Sequence, residues 1–466
     1  MTTRFRRTRI AAAIAGLAAA LGAGHALGAA FALQENSGSA LGNAFAGGAA
    51  SAEDASTLWA NPAGMSRLGT NQVASAVHLI TPSSKFRDDG SIKALNQPLG
   101  NLGGDAGGLN VVPNLYLAIP INKQWSFGLG VNAPFGLVTE YDDGWIGRYQ
   151  ALKSDVKTIN VNPAFSWRIT DMVAIGGGVN YQRIKATFTN NVNYSAALIS
   201  AAAAAGQSAA IPSLLATTPN LDAKANIDGD DTAWGWNLGV LFDIDRNTRI
   251  GASYRSSIKY TVAGNVNFNY PVIPTQPAAL APLVGALSAA INAGPLANGG
   301  VTAAIELPEI ANLSLFRQID DRWDVMADLQ FTGWSKLKEL KFVRTTGAVL
   351  GTATPENFKD VWRFAVGANY RYSDQWMFRG GLAYDQTPVN DTDRTPRLPD
   401  GNRTWVSGGL QYKMSPQLKL DAGATYIFIS SPSINQNAGS TNGSALLKGK
   451  YDSNVIIVSG QVTYSF

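Results

Sequence analysis

Apolar and polar residues alternate with a period of two along most of this 466-residue chain, in segments longer than the strands of ordinary globular sheets. In residues 361–372, one face carries Trp362, Phe364 and Val366, whereas the opposite face carries Arg363. This period belongs to a β-strand whose two faces meet different surroundings. Comparable alternation occurs near residues 248–262, 376–385, 402–414 and 456–466.

The length of these segments separates two all-β folds. Strands of a soluble β-sandwich are short and share one compact core, whereas a strand of a membrane barrel needs about 9–11 residues with an apolar outer face and a polar inner face. Only a closed barrel satisfies the backbone of strands in lipid. The sequence therefore predicts an all-β transmembrane barrel.

The predicted connections alternate strictly between tight and long. Six tight and seven long connections join fourteen antiparallel strands, which places both chain ends on the tight-turn side, the periplasmic side of bacterial barrels. Trp125, Trp323 and Trp376 directly follow tight turns, as in an interfacial aromatic belt. The strands are predicted near residues 70–81, 111–121, 125–135, 154–169, 173–193, 232–243, 248–269, 301–318, 323–345, 358–372, 376–388, 402–414, 418–430 and 451–466.

Residues 1–30 have the features of a secretory signal peptide. Four arginines precede an apolar stretch at residues 10–23, and small residues offer cleavage after Gly28 or Ala30. Removing this segment takes four of the 37 basic residues and leaves 33 basic against 33 acidic residues. The excess of positive charge therefore belongs to the signal and indicates no nucleic-acid partner.

Composition excludes several kinds of chemistry. Cys is absent, which excludes thiolate catalysis, disulfides and thiolate metal sites. After loss of the signal, His78 is the one remaining histidine, and no nucleophile motif lies near it in the sequence, so a Ser–His–acid hydrolase is not expected. We predict that the protein is not an enzyme, has no catalytic or metal site and needs no cofactor.

Residues 31–68 do not alternate and are rich in Ala and Gly. A barrel of this size leaves an aqueous lumen unless something fills it, and so apolar a tail would be poorly solvated in the periplasm. We therefore predict three regions: a signal peptide at 1–30, an N-terminal hatch that plugs the lumen at 31–68, and the barrel at 69–466.

Several motifs, in order along the chain, resemble those of a known family. They resemble the outer-membrane long-chain fatty acid transporter family (FadL-like), which includes aromatic-hydrocarbon transporters. The resemblance implies a 14-stranded barrel with an N-terminal hatch, diffusive uptake of hydrophobic ligands, and exit into the membrane through a gap in the wall. The motifs are LGNAFAG at 41–47, AEDAS at 52–56, NPA at 61–63, PFGLVTEY at 134–141, WIGRY at 145–149, SYRS at 253–256, WS at 334–335, YDQTP at 384–388 and RTPRLPD at 394–400.

Pro134 interrupts the predicted third strand. Proline cannot donate to a strand ladder and Gly136 permits a bend, so local unpairing is expected. The resemblance gives this segment the role of an inward kink that opens a lateral hole; the alternative is that Pro134 ends the strand at the outer rim. The residues of the predicted opening are Asn132, Ala133, Pro134, Phe135 and Gly136.

The hatch triplet Asn61, Pro62 and Ala63 follows the helix-prone part of the hatch. Its Asn side chain can bond unpaired backbone, and its proline fixes the direction of the chain. We therefore expect the triplet to lean on the gap in the third strand.

Two long extracellular loops, at 194–231 and 270–300, are apolar and helix-prone. Loops that face water are normally polar, so a large apolar surface here indicates a packing or binding role. The loops could pack against each other, or form a groove that captures an acyl chain, which is the role that the resemblance implies. The predicted groove residues are Leu198, Ile199, Leu214, Leu215, Leu280, Leu283 and Leu287.

A ligand carboxylate would require a cation, and Arg148 and Lys153 are the predicted candidates, with solvated loop charges as the alternative. The resemblance places the family's own head-group Arg and Lys at Asn190 and Thr354, where this chain carries neutral side chains. The choice between fatty acids and aromatic hydrocarbons therefore stays open.

The sequence thus predicts a monomeric outer-membrane transporter of hydrophobic compounds, most simply long-chain fatty acids, captured at the loops and released laterally. Its partners would be the ligand, outer-membrane lipid and lipopolysaccharide. Aromatic-hydrocarbon uptake by the same route is the first alternative. A general porin is the second, because Arg363, Arg379, Asp385 and Arg403 give the predicted lumen charge.

Overall fold

The computed structural model describes residues 30–466, so the predicted signal peptide, apart from Ala30, lies outside the described residues. Fourteen antiparallel strands close a barrel in the described part of the chain, and β1 pairs with β14. The predicted fold class is confirmed. The strands are β1 Gln72–Asp88, β2 Asn110–Pro120, β3 Trp125–Asn132 and Gly136–Glu140, β4 Lys153–Arg168, β5 Val173–Asn193, β6 Asp222–Asp243, β7 Thr248–Arg255 and Ile258–Asn269, β8 Gly299–Leu307 and Ile310–Gln318, β9 Trp323–Thr332, β10 Val361–Arg371, β11 Trp376–Asp385, β12 Arg403–Lys413, β13 Leu418–Ile429 and β14 Leu446–Ser465.

Short helices occur in the N-terminal segment and in the long loops. Within residues 30–466, no helix combines the length and hydropathy needed to cross a membrane. Short strand pieces in the loops are Glu339–Leu340, Val343–Arg344, Thr354–Pro355 and Ser433–Asn437. The α-helices are α1 Gly38–Leu41, α2 Gly48–Ser51, α3 Thr57–Ala60, α4 Tyr194–Ala204, α5 Ile211–Thr217 and α6 Ala281–Ala293, and the 3₁₀ turns are Pro62–Arg67, Ser208–Ala210, Trp334–Lys336 and Ser440–Asn442.

The largest differences from the predicted strand boundaries occur in β1, β6 and β9. β1 continues to Asp88 because it stays paired with β14 above the membrane. β6 begins at Asp222, ten residues before the predicted start, because it pairs with the full length of β5. β9 ends at Thr332, where Gly333 leads into a 3₁₀ turn that leaves the wall.

Outward aromatic side chains form two belts. At the tight-turn end, Trp125, Trp323 and Trp376 are each about two-fifths exposed, as the sequence predicted. Trp125 stacks on Trp167 with ring centroids 5.4 Å apart. Towards the other end, Trp234 contacts Tyr181 on the neighbouring strand, with ring centroids 4.9 Å apart. Such belts mark the two interfaces of a membrane.

The N-terminal segment fills the lumen at the level of the membrane. The Ala49 amide donates to Ser314 Oγ of β8 at 3.0 Å, and the Asn43 side chain donates to Asn369 of β10. A Cβ at Gly251 would lie 1.8 Å from the Ala49 oxygen, so only glycine permits this approach of the hatch to β7.

Candidate functional site

The wall of the barrel has a gap beside β3. The lower part of β3 pairs with β2 up to the Val131–Leu115 pair, whereas Gly136–Glu140 pairs with β4 and not with β2. Among the described residues, no strand therefore pairs with residues 110–114 of β2 on that side. Pro134 lies in the interruption and the strand resumes above it, so Pro134 does not end the strand at the rim.

The start of the hatch closes this gap from inside. The Leu33 amide donates to the Pro134 oxygen at 2.8 Å, and the Gly136 amide donates to the Phe31 oxygen at 2.9 Å. On the opposite side, the Asn114 side chain of β2 donates to the Glu35 oxygen at 2.7 Å. Residues 31–36, which we call the gap segment, thus bridge β3 and β2 where the wall is unpaired.

The hatch triplet lies elsewhere, and the expectation that it leans on the β3 gap is wrong. Asn61 donates to the Val240 oxygen of β6 at 2.9 Å and to the Ala49 oxygen at 2.7 Å. The Asn61 oxygen also caps the following 3₁₀ turn through the Ala63 amide. A Cβ at Gly239 would meet that oxygen at 2.0 Å, so the glycine makes room for the triplet against β5 and β6.

Aromatic rings surround the inner mouth of the gap. The Phe31 ring lies 4.7 Å from the Trp334 ring and 6.1 Å from the Phe135 ring, measured between centroids. Trp334 in turn contacts Phe358. These rings belong to one apolar cluster that continues upward through the extracellular half of the lumen.

Six of the seven predicted groove residues, all except Leu215, belong to the same apolar cluster. Helices α4, α5 and α6 pack together above the barrel, and the cluster runs without interruption from them to Phe135 at the gap. The loop helices thus pack against each other, and the same cluster extends down to the gap. Within this cluster Leu198, Leu214, Leu280 and Leu287 are buried, while Ile199 and Leu283 are partly buried; Leu215 is partly buried outside it.

A belt of amide side chains lies below this cluster. Asn160 of β4 donates to Asn132 of β3 and to Asn180 of β5, each at 3.1 Å. Asn180 continues the chain of hydrogen bonds to Asn237 of β6 at 3.0 Å. This amide belt forms a polar floor under the apolar part of the lumen.

Arg379 of β11 anchors the hatch to the wall. Its guanidinium bonds the Glu53 carboxylate through two nitrogens and the Asp421 carboxylate of β13 at 3.0 Å. Burial opposes the charge on Glu53, but Arg379 outweighs it and lowers the pKa of the Glu53 carboxyl to about 2. The pair is therefore charged at neutral pH.

Other wall residues hold the hatch from further directions. Arg249 of β7 donates to the Ala50 and Ser51 oxygens at 3.0 and 2.9 Å. Gln461 of β14 donates to Asp54 at 2.8 Å. Because these contacts come from opposite sides of the barrel, displacement of the whole hatch would break several charged or buried hydrogen bonds at once.

The two predicted head-group cations are both occupied, and the structure does not bring them together. Arg148 is buried and pairs with Asp222 at 3.0 Å, with further bonds to the Pro98 and Leu99 oxygens. The Lys153 ammonium pairs with Glu140 at 2.7 Å on the outer face of β4.

A family model described as outer membrane protein transport protein (OMPP1/FadL/TodX) matches residues 19–466. The chain belongs to this family. It is 30% identical over 454 residues to the long-chain fatty acid transport protein of Escherichia coli (strain K12), covering 93% of this chain and 94% of that protein. It is 32% identical over 435 residues to outer membrane protein P1 of Haemophilus influenzae, covering 87% of each.

Solved structures agree with this membership. A Pseudomonas aeruginosa FadL homologue has a TM-score of 0.82 at 25% identity and covers 94% of this chain and 100% of its own. The Ralstonia pickettii toluene transporter TbuX, at a TM-score of 0.62 and 19% identity, covers 92% and 98% and shares the fold alone. As a member of the family, the chain is an outer-membrane transport protein and not an enzyme.

Sequence reasoning missed two functional candidates. No sequence pattern identifies the gap segment, because its role depends on which strand it contacts in the folded barrel. Arg397, which lies in the family-like stretch at residues 394–400, has a guanidinium 3.2 Å from the oxygen of Asn190. The neutral position of the expected head-group Arg therefore has a cation beside it, supplied by another loop.

Proposed function

We propose that this protein takes up long-chain fatty acids, which the extracellular helices capture and the β3 gap releases sideways into the outer membrane. The observation that carries the proposal is the continuous apolar cluster from α4, α5 and α6 to Phe135 and Phe31. A hydrophobic ligand can follow this cluster without contact with bulk water. The proposal takes the protein as a monomer whose outer face meets lipid and lipopolysaccharide.

Energetics favour a long apolar ligand. Burial contributes about 0.8 kcal/mol per CH₂ group, so the cluster would retain a long chain strongly and a small polar solute weakly. Release into the periplasm would return every methylene to water, whereas release into the bilayer avoids that cost.

The arrangement of polar groups supports a lateral exit. The amide belt is a poor surface for an acyl chain, because an inserted chain would break its hydrogen bonds. The hatch below is held by Arg379 and Arg249. By contrast, the gap segment is held by uncharged hydrogen bonds: two backbone bonds at β3, and bonds to Glu35 and Asn36 from the side chains of Asn114, Tyr116 and Asn132. A local shift of residues 31–36 therefore opens a route without breaking the ion pair that anchors the rest of the hatch.

Aromatic-hydrocarbon uptake by the same route is the second candidate, because the cluster is rich in rings at Phe31, Phe135 and Trp334. A general porin has less support, since the hatch occupies the lumen.

The test measures uptake of radiolabelled oleate and of toluene by cells that lack their own fatty acid transporter, with and without this protein. We expect faster oleate uptake, saturating at low concentration. Toluene uptake without oleate uptake would favour the second candidate. Current through planar bilayers without uptake of either compound would favour a porin.

A further inference from the structure

Arg397 enters the apolar part of the lumen from the loop between β11 and β12. Its guanidinium donates to the Lys153 oxygen, to Ser154 Oγ and to Asn190 Oδ1, each at 3.2 Å. All three acceptors are neutral.

Arg397 differs from two other buried lumen arginines in having no ion-pair partner among the described residues. Arg379 and Arg403 have carboxylate oxygens at 3.0 Å or less. Over residues 30–466, no carboxylate oxygen lies within 4.0 Å of the Arg397 guanidinium. Arg249, Arg255 and Arg363 also lack an acid within this distance, but each donates to a backbone oxygen of the hatch, so the hatch occupies all three.

The acid that acts on Arg397 is Glu356, and it does not neutralise the arginine. Burial raises the pKa of the Glu356 carboxyl to about 8; Arg397 opposes this rise and Asp393 adds to it. Burial also lowers the pKa of Arg397, to about 10. At pH 7 the arginine is therefore charged while Glu356 is mostly neutral.

An apolar pocket adjoins the charge. The Arg397 guanidinium lies over the Phe188 ring, 5.3 Å from its centroid. Phe188 also lines a pocket of about 20 Å³ together with Ile227, Val262 and Phe342. The pocket is too small for an acyl chain as it stands, so entry of a ligand would require Phe342 or its loop to move.

On the basis of the proposed function, we propose that Arg397 receives the carboxylate of the ligand while its acyl chain lies in the apolar cluster next to Phe188. A buried charge without a counterion is costly, and a carboxylate forms a strong, bidentate pair with a guanidinium. A neutral hydrocarbon offers no such pair. Arg397 would therefore make the upper lumen selective for fatty acids over hydrocarbons of similar size.

The experiment compares binding of oleate and of oleyl alcohol to the purified full-length protein at pH 7, by equilibrium titration against a fluorescent fatty acid. In the wild type we expect oleate to bind about ten- to a hundredfold more tightly than the alcohol, the range of a charged hydrogen bond. In Arg397→Gln the preference for oleate should disappear, with little change for the alcohol. Arg397→Lys should keep part of it.

Arg183→Gln is the matched control, because Arg183 is on β5 as Phe188 is, but pairs with Asp230 on the outer face. It should leave both affinities unchanged. Equal binding of oleate and alcohol by the wild type would overturn the assignment even if Arg397→Gln does not fold. An oleate preference that survives in Arg397→Gln would also overturn it. Failure of both ligands to bind the wild type would instead contradict the proposed function.

Discussion

Arg379→Met tests how firmly the hatch is held. The side chain of Arg379 is 2% exposed and bridges Glu53 of the hatch, 26% exposed, to Asp421 of the wall, 1% exposed. Methionine fills a similar volume but removes the charge. The substitution therefore leaves two neighbouring carboxylates without their counterion and changes little else.

The size of the effect follows from this geometry. Removing one partner of a buried ion pair costs about 3–5 kcal/mol, and the partial exposure of Glu53 puts the expected cost near the lower end. Because the fourteen strands pair with one another around the whole barrel, we expect this cost to fall on hatch docking and not on barrel closure. A loss of about 3 kcal/mol shifts the docking equilibrium roughly a hundredfold towards the displaced state.

Conductance in planar bilayers reads out this displacement. The wild type should pass almost no current, because the hatch fills the lumen, and Arg379→Met should show frequent open events. The triple variant Glu53→Gln, Arg379→Met, Asp421→Asn removes the uncompensated charges and should restore a low current. If Arg379→Met is as closed as the wild type and unfolds at the same temperature, the hatch is not anchored by this cluster.

Three further predictions concern capture and pH. Changing Leu214, Leu215, Leu283 and Leu287 together to Ser should lower oleate uptake at low ligand concentration, because about 1.5–3 kcal/mol of binding free energy is lost for each side chain that the ligand buries. Unchanged uptake would mean that these leucines only pack the loops. Oleate affinity should fall as the pH rises from 7 to 9, because Glu356 ionises and competes for Arg397, and Glu356→Gln, which leaves Asp393 in place, should remove this dependence. The pKa of the Glu53 carboxyl is depressed in the folded protein, so its stabilisation of the hatch is present above its ordinary pKa of 4.5 and is lost as the pH falls towards 2. The current through planar bilayers should therefore rise between pH 4.5 and pH 2, and a channel that stays closed at pH 2 would contradict this role of Glu53.

Local patterns in the sequence were sufficient to predict the barrel. The period of two predicts the number of strands and which residues of each strand face the lipid or the lumen. Each tight turn is also recognisable from a few neighbouring residues. Boundaries failed where context decides. Residues 222–231 are strand because β5 extends beside them, and the wall ends at Thr332 because a turn follows it.

The site was only partly predictable, for a related reason. Pro134 marks the interruption of β3, because proline lacks the donor that the ladder requires. The interruption is covered by residues Phe31 to Asn36, which lie about a hundred positions earlier in the sequence. No local sequence pattern could therefore predict this contact. Arg397 likewise reaches Asn190 from a distant loop, which makes its unpaired charge invisible until the chain is folded.

Lateral release at β3 is the central claim, and straightening this strand tests it most directly. Replacing the four residues Ala133–Gly136 by the three residues Val-Thr-Val removes the proline and the one-residue register shift on β4, so that β3 can pair with residues 110–114 of β2 and close the gap. At equal expression, the purified variant should still bind oleate at the extracellular helices, whereas oleate uptake by cells should collapse. Uptake at the wild-type rate would contradict lateral release and make passage through a moving hatch the better account.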